Sequence, residues 1–410
     1  MKRIFLVTSL NALLFIACEE QSSTLESGFW RAGLALPGGE LPFSIDIRED
    51  GNSYNATFLN GEERIIVDSL KIAADHIFLK LPAFNSSIEA TIERRMRLTG
   101  FLTLIKRGGV KQVMPFQAMH GKAHRFTTTK FANPANVAGR WAVTFREDNG
   151  DSTEAVGIFK QIGKTVTGTF MTPTGDYRFL AGEVNEDGNL ALSCFDGSHA
   201  FLFRAKLDEN NRLSGDFWSG TAWHETWTAY RDDNAELPDA FKMTYLKEGY
   251  DGIDFIFPDP DSTIVSLGDT KYQDRVVILT IAGSWCPNCH DEAAFMSPFY
   301  KRYREHGLEV IGLMYEHFRE FKPAARQVKR FGKKFKIEYD LLVAGYSDKA
   351  DAAKTLPMLN HVLSYPTTIF IDKKGNVRKI HTGFTGPGTG KAYETLTNEF
   401  TELVETLLAE

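Results

Sequence analysis

Cys286 and Cys289 stand three residues apart where an aliphatic run, Arg275-Val276-Val277-Ile278-Leu279-Thr280-Ile281, gives way to a segment of helical period. That segment gathers Phe295, Met296, Phe299, Tyr300 and Tyr303 on one side. Gly283-Ser284-Trp285 reads as a sharp turn between the two, so the cysteines open a helix that follows a strand. A cysteine there meets unpaired backbone N–H groups and the positive end of the helix dipole, and both favour its thiolate. Pro287 suits the first helical turn, where its missing N–H costs nothing. Cys289 lies one turn further on and can close a small disulfide ring with Cys286. The pattern predicts a dithiol redox site with Cys286 as nucleophile and Cys289 as resolving thiol.

Trp-Cys-x-x-Cys after a hydrophobic strand resembles the thioredoxin superfamily. Residues 250–410 as a whole resemble its TlpA-like and ResA-like branch of exported, membrane-tethered thiol-disulfide oxidoreductases. Leu308 to Tyr315 reads as the next strand, Tyr365-Pro366-Thr367-Thr368-Ile369-Phe370-Ile371 as the strand that a cis-proline opens, and Ala392 to Leu408 as a closing helix. The resemblance implies an α/β thioredoxin-like domain in which Trp285, Tyr365 and a cis Pro366 contact substrate. It also implies that Glu292, three residues after Cys289, is a buried proton acceptor. Glu316, at the end of the second strand, is a weaker candidate for the same work. Thr280 stands where plain thioredoxins carry a buried aspartate, which leaves that role to one of these glutamates. Pro287-Asn288 lacks the histidine of the strongly oxidising members, which leans towards reductase or exchange work. Substrates would be protein thiols and disulfides and the reductant another thiol protein, with no organic cofactor.

Other readings of the pair fit less well. A structural disulfide does not account for the Trp in front or for Tyr365-Pro366. A metal pair needs two more soft or imidazole ligands, and only His290 is adjacent. Peroxidases of the related fold carry a proline and a Thr or Ser seven and three residues before the reactive cysteine; here those places hold Leu279 and Gly283.

The start of the chain is an export signal by pattern. Met1-Lys2-Arg3 is basic, Ile4 to Ala17 is mostly apolar, and Phe15-Ile16-Ala17-Cys18 resembles a lipoprotein cleavage site. This makes residues 1–17 a signal peptide, Cys18 the lipidated N-terminus, and 18–27 a polar tether facing the periplasm from the outer membrane. A net charge of −6 without a basic block excludes nucleic acid as a partner.

Between tether and redox domain the pattern is β throughout, with turn signals at Pro37-Gly38-Gly39, Glu49-Asp50-Gly51-Asn52 and Glu186-Asp187-Gly188-Asn189. It also reads as duplicated. Gly28-Phe29-Trp30 matches Gly139-Arg140-Trp141, and Phe84-Asn85-Ser86-Ser87 matches Phe195-Asp196-Gly197-Ser198, both at an offset of 111. The expected architecture is multidomain: an all-β repeat over 28–126, a second over 136–232, a linker over 233–249 and the thioredoxin-like domain over 250–410. Each repeat is an antiparallel barrel or meander of lipocalin-like pattern, and periodicity leaves open whether they form two barrels or one. Cys194 alternates with Leu190 and Leu192 and reads as a buried, inert thiol. Phe217-Trp218, Trp223-His224 and Trp227 read as core, with a ligand cavity as the rival. The alternative function is a surface ligand- or partner-binding lipoprotein in which the β repeats do the work and the dithiol domain is accessory. Cys18→Ser is expected to abolish incorporation of labelled fatty acid and to move the protein from the detergent phase to the aqueous phase on Triton X-114 partition.

Overall fold

The structure, a computed structural model, describes residues 25–67, 69–81 and 84–410. The expected signal segment and Cys18 lie outside the described residues. Among the described residues from Gly28 to Arg231 the regular structure is antiparallel sheet, with one 3-10 turn at Arg107–Gly109 and an irregular stretch over 121–138. It forms two nine-stranded sheets, so of the two arrangements the pattern allowed the chain takes separate units. The first runs from Gly28–Leu36 to Lys111–His120 with consecutive strands as neighbours and the first strand paired to the last, Trp30 opposite His120. Its ring stays open between Glu63–Ile66 and Ser69–Ala73. The second closes fully: Gly139–Arg146 pairs with both Ser152–Ile162 and Trp223–Arg231, and Ser152–Ile162 pairs on with Thr165–Thr172. Closure removes the unpaired edges that make open sheets stick to one another.

Alternation sends every second residue inward, and here those residues are large. Phe145, Phe170, Phe203, Phe217 and Trp227 pack together in the second unit, with the Phe203 and Phe217 rings stacked at 4.3 Å. A barrel interior filled this way is a core. Cys194 is fully buried in it as a free thiol, and His224 bonds Asp216 at 2.9 Å outside it. The same local device recurs in both units: Trp30 Nε1 donates to the Glu26 carbonyl and Trp141 Nε1 to that of Val137, each at 3.0 Å. The units also share core, since Phe195, Ala200 and Leu202 of the second lie among Phe43, Phe58 and Phe116 of the first.

The C-terminal part is a thioredoxin-like five-stranded sheet in the order Asp340–Tyr346, Leu308–Glu316, Val276–Ala282, Thr367–Ile371, Val377–Thr382. The first three strands are parallel and the last two antiparallel. Every residue of the central strand Val276–Ala282 is buried, as expected of a strand covered on both faces. Four helices do the covering: α1 (Pro287–Tyr303), α2 (Phe321–Phe335), α3 (Lys349–Thr355) and α4 (Lys391–Ala409). Met296 and Phe299 of α1 and Phe400 and Val404 of α4 pack on Val276, Ile278 and Val310, while Val328 and Phe331 of α2 pack on the opposite side with Leu279, Ile281 and Leu313. Among the described residues no helix is long and apolar enough to cross a membrane.

The three units meet around the N-terminus of α1, and one side chain joins them. Arg178, buried in the second β unit, directs Nη2 to Glu63 of the first unit at 2.5 Å and Nη1 to both Asp291 and the Pro287 carbonyl of α1. Its Nε lies 3.5 Å from Asp196. Around it the tip of the hairpin Met171–Asp176 reaches the thioredoxin-like domain: the Thr174 carbonyl accepts from Ser364 Oγ at 2.7 Å, and Asp176 Oδ2 accepts from Asn288 Nδ2 at 3.1 Å and Gly386 N at 2.6 Å. Gly383 allows this approach, because a Cβ there would stand 2.9 Å from the Thr174 carbonyl carbon. A buried cation removed from its carboxylates leaves them uncompensated, at a cost of about 3–5 kcal/mol. Arg178→Met, which keeps the bulk without the charge, is therefore expected to destabilise the protein by about that amount, seen as a lowered urea midpoint.

Candidate active site

The turn before α1 is held from below. Gly283 has no side chain where a Cβ would stand 2.4 Å from Trp285 Nε1, so the indole folds back and donates to the Tyr315 carbonyl at 2.8 Å. Glu316, at the end of the neighbouring strand and 1% exposed, accepts from Ser284 N at 2.9 Å and Ser284 Oγ at 2.7 Å. Burial pushes the Glu316 carboxyl up to about 7 against those two bonds. Trp285, half-buried, stacks on His317 at 4.4 Å and meets the Tyr365 ring edge-on at 5.4 Å.

Cys286 is the N-cap of α1 and Pro287 its first residue. Cys286 Sγ accepts the Cys289 backbone N–H at 3.2 Å, as an N-cap oxygen would, and its thiol donates to the Tyr365 carbonyl at 3.2 Å. The Tyr365–Pro366 peptide is cis. Both thiols are free and buried, Cys286 at 5% exposure and Cys289 at 1%. Burial, the Cys286 sulfur and Glu292 together push the Cys289 thiol well above its ordinary range. The carbonyl of Tyr365, a residue expected to contact substrate, is thus engaged by Cys286 in the reduced pair.

Glu292 faces inward from α1, 2% exposed, and accepts from Thr368 Oγ1 at 2.5 Å. Thr368 stands opposite Thr280 in the strand pair, so the carboxyl reaches the sheet at the level of Thr280. Burial pushes Glu292 up to about 7, with the Thr368 hydroxyl opposing. His290 is buried and stacked on Phe84 of the first β unit at 4.1 Å, and its Nε2 is committed to the Ser284 carbonyl at 2.7 Å. Burial holds its imidazole well below the usual range, hence neutral.

The structure therefore brings Trp285, Cys286, Cys289, Glu292, Tyr365 and Pro366 together, and sets Glu316 beneath the turn through Ser284. Sequence reading missed Arg178, Asp176 and His317, whose contacts with the site join residues far apart in the chain. Asn288, read there only as a spacer, is buried between Asp176 and the Phe384 carbonyl.

Glu292 keeps its proton to about pH 7 in the fold but only to about 4.5 in the unfolded chain, so its stabilising contribution is complete below about 4.5 and is lost as pH rises through 7. Glu292→Gln cannot ionise. Its stability relative to the parent protein is expected to rise by about 1–3 kcal/mol between about pH 4.5 and 8, read from urea midpoints; an equal difference at both ends would mean that no buried acid titrates there.

Residues 249–380 match the family model described as AhpC/TSA family. Among curated proteins, the thiol-disulfide oxidoreductase ResA of Halalkalibacterium halodurans is 24% identical over 39% of this chain and 78% of its own length. The thioredoxin-like protein YneN of Bacillus subtilis is 28% identical over 35% of this chain and 75% of its own. Among solved structures, a thiol:disulfide interchange protein of the thioredoxin family from Chlorobium tepidum is 20% identical, covering 40% of this chain and 98% of its own at a TM-score of 0.30. The C-terminal part of this chain is a thioredoxin-like domain of the AhpC/TSA kind, homologous to the ResA thiol-disulfide oxidoreductases.

Proposed function

We propose that the protein is an exported, lipid-anchored thiol-disulfide oxidoreductase that reduces protein disulfides through Cys286 and Cys289, anchored by Cys18. The observation that carries this reading is the Cys286 thiol at the N-cap of α1, accepting the Cys289 N–H and facing the carbonyl that precedes the cis proline. In the reaction the Cys286 thiolate attacks one sulfur of a substrate disulfide and the other sulfur leaves as thiolate. Cys289, deprotonated, then attacks Cys286 Sγ and expels the second substrate thiolate. Two electrons and two protons pass to the substrate, and the Cys286–Cys289 disulfide remains until a dithiol partner reduces it. Glu292, poised near neutrality beside Cys289, takes the resolving thiol's proton. Glu316 holds the turn through Ser284.

The direction follows from how little stabilises the reduced pair. Cys289 is strongly disfavoured as thiolate, and the neighbouring His290 is neutral and bonded elsewhere. Strong oxidants owe their potential to a stabilised reduced form. The β units, as copies of one ancestral repeat, serve as walls for the dithiol; their interiors are filled with aromatic side chains, which speaks against the rival ligand-binding reading. A peroxidase reading lacks a hydroxyl at Gly283. A redox titration in thiol buffers, followed by Trp285 fluorescence, is expected to give a two-electron midpoint at or below about −220 mV. A midpoint near about −120 mV would make the protein an oxidant, and no couple in a Cys194→Ser background would sink the dithiol reading.

A further inference from the structure

The β units close in on the dithiol. The Trp285 carbonyl accepts from Ser198, Ser364 is bonded to the hairpin tip, and the Pro287 carbonyl accepts from Arg178. Beside Trp285 and Tyr365 a groove of about 500 Å3 opens, lined by Arg107, Trp285, His317, Asp348, Lys349 and Tyr365. Two units build its wall. Arg107 comes from the 3-10 turn of the first β unit, pinned in place by the Gly108 N–H on the His317 carbonyl at 3.0 Å.

The charges in this wall are unequal. Asp348 is engaged, with Oδ1 accepting from Ala350 N and Asp351 N at the start of α3 and Oδ2 facing Arg107 Nη1 at 3.0 Å. His317 is neutral, because burial and the nearby Lys106 and Arg107 hold its imidazole down to about 3. Burial lowers the Lys349 ammonium from its ordinary range, and Cys286, within electrostatic reach, opposes that shift. Arg107 and Lys349 against the single Asp348 leave this opening with an excess of one positive charge, which suits a carboxylate.

We infer that the groove selects protein disulfides whose reacting cysteine is flanked by acidic residues, with the carboxylates meeting Lys349 and Arg107. The first β unit then contributes a specificity-determining residue to the thioredoxin-like domain. This rests on the thiol-disulfide reading above. The whole chain carries −6, so long-range attraction favours a basic segment, and a preference for an acidic one is a local signature.

The test uses the reduced full-length protein and two peptides, each a mixed disulfide with the same neutral leaving thiol and identical except for Asp or Lys on either side of the cysteine. Rates are followed by Trp fluorescence. The protein is expected to react about fivefold faster with the Asp peptide at low salt, the ratio shrinking towards one at about 0.5 M salt. Arg107 is 53% exposed, so Arg107→Glu leaves the core untouched. It is expected to bring the Asp/Lys ratio to one or below, Lys349→Glu to move it the same way, and Arg107→Lys to retain it. A ratio of one in the parent protein, or an unchanged ratio in both charge reversals, overturns the inference. If neither peptide oxidises the dithiol, the oxidoreductase reading fails with it, whereas equal rates remove only the acidic selectivity.

Discussion

A single guanidinium holds the architecture around the dithiol. Arg178 faces carboxylates from all three units, Glu63 in the first, Asp196 in its own and Asp291 on α1, at a place where water is largely excluded. Burying a charge is tolerable only when it is paired and hydrogen-bonded, so none of these groups can leave without stranding the others. Apolar contacts between units can slide. A planar donor that reaches three carboxylates and the Pro287 carbonyl cannot. The N-terminus of α1, and with it Cys286, is consequently set by the β region as well as by its own domain.

The same exclusion of water sets the chemistry. Glu292 and Glu316 start from similar intrinsic acidity and both are pushed towards neutrality by burial, yet their surroundings divide the work. Glu316 spends both oxygens on Ser284 and so shapes the turn. Glu292 has one bond, from Thr368, and lies within electrostatic reach of Cys289. A carboxyl near neutrality beside a reluctant thiol is suited to proton transfer, whereas one locked by two donors is suited to support.

What could be read from the chain beforehand was what local pattern encodes. The strand, the turn, Pro287 and the apolar side of α1 lie within about thirty residues, and the helix begins where the spacing puts it. The β strands follow from alternation and from glycines such as Gly51 and Gly188, whose positive φ closes the turns. Whether the strands close into one barrel or two depends on which edges meet, and periodicity is blind to that. Arg178 was invisible for a related reason: its partners in the other two units, Glu63 and Asp291, lie more than a hundred residues away in either direction, and nothing in Tyr177-Arg178-Phe179 marks a buried cation.

The enclosure has a kinetic consequence. Cys286 is 5% exposed, and the β units are bonded to the backbone of Trp285 and to Ser364 beside it, so as a nucleophile it would meet few partners by chance. On the thiol-disulfide reading proposed above, unselective exchange would thereby be slowed for disulfides that cannot bring an extended segment alongside Trp285. Discrimination of this kind works by excluding the wrong partner as much as by attracting the right one. Walls that are themselves tied to α1 by a buried ion cluster keep that exclusion rigid. The groove beside Trp285 and Tyr365 is thus lined by residues from two units of the fold.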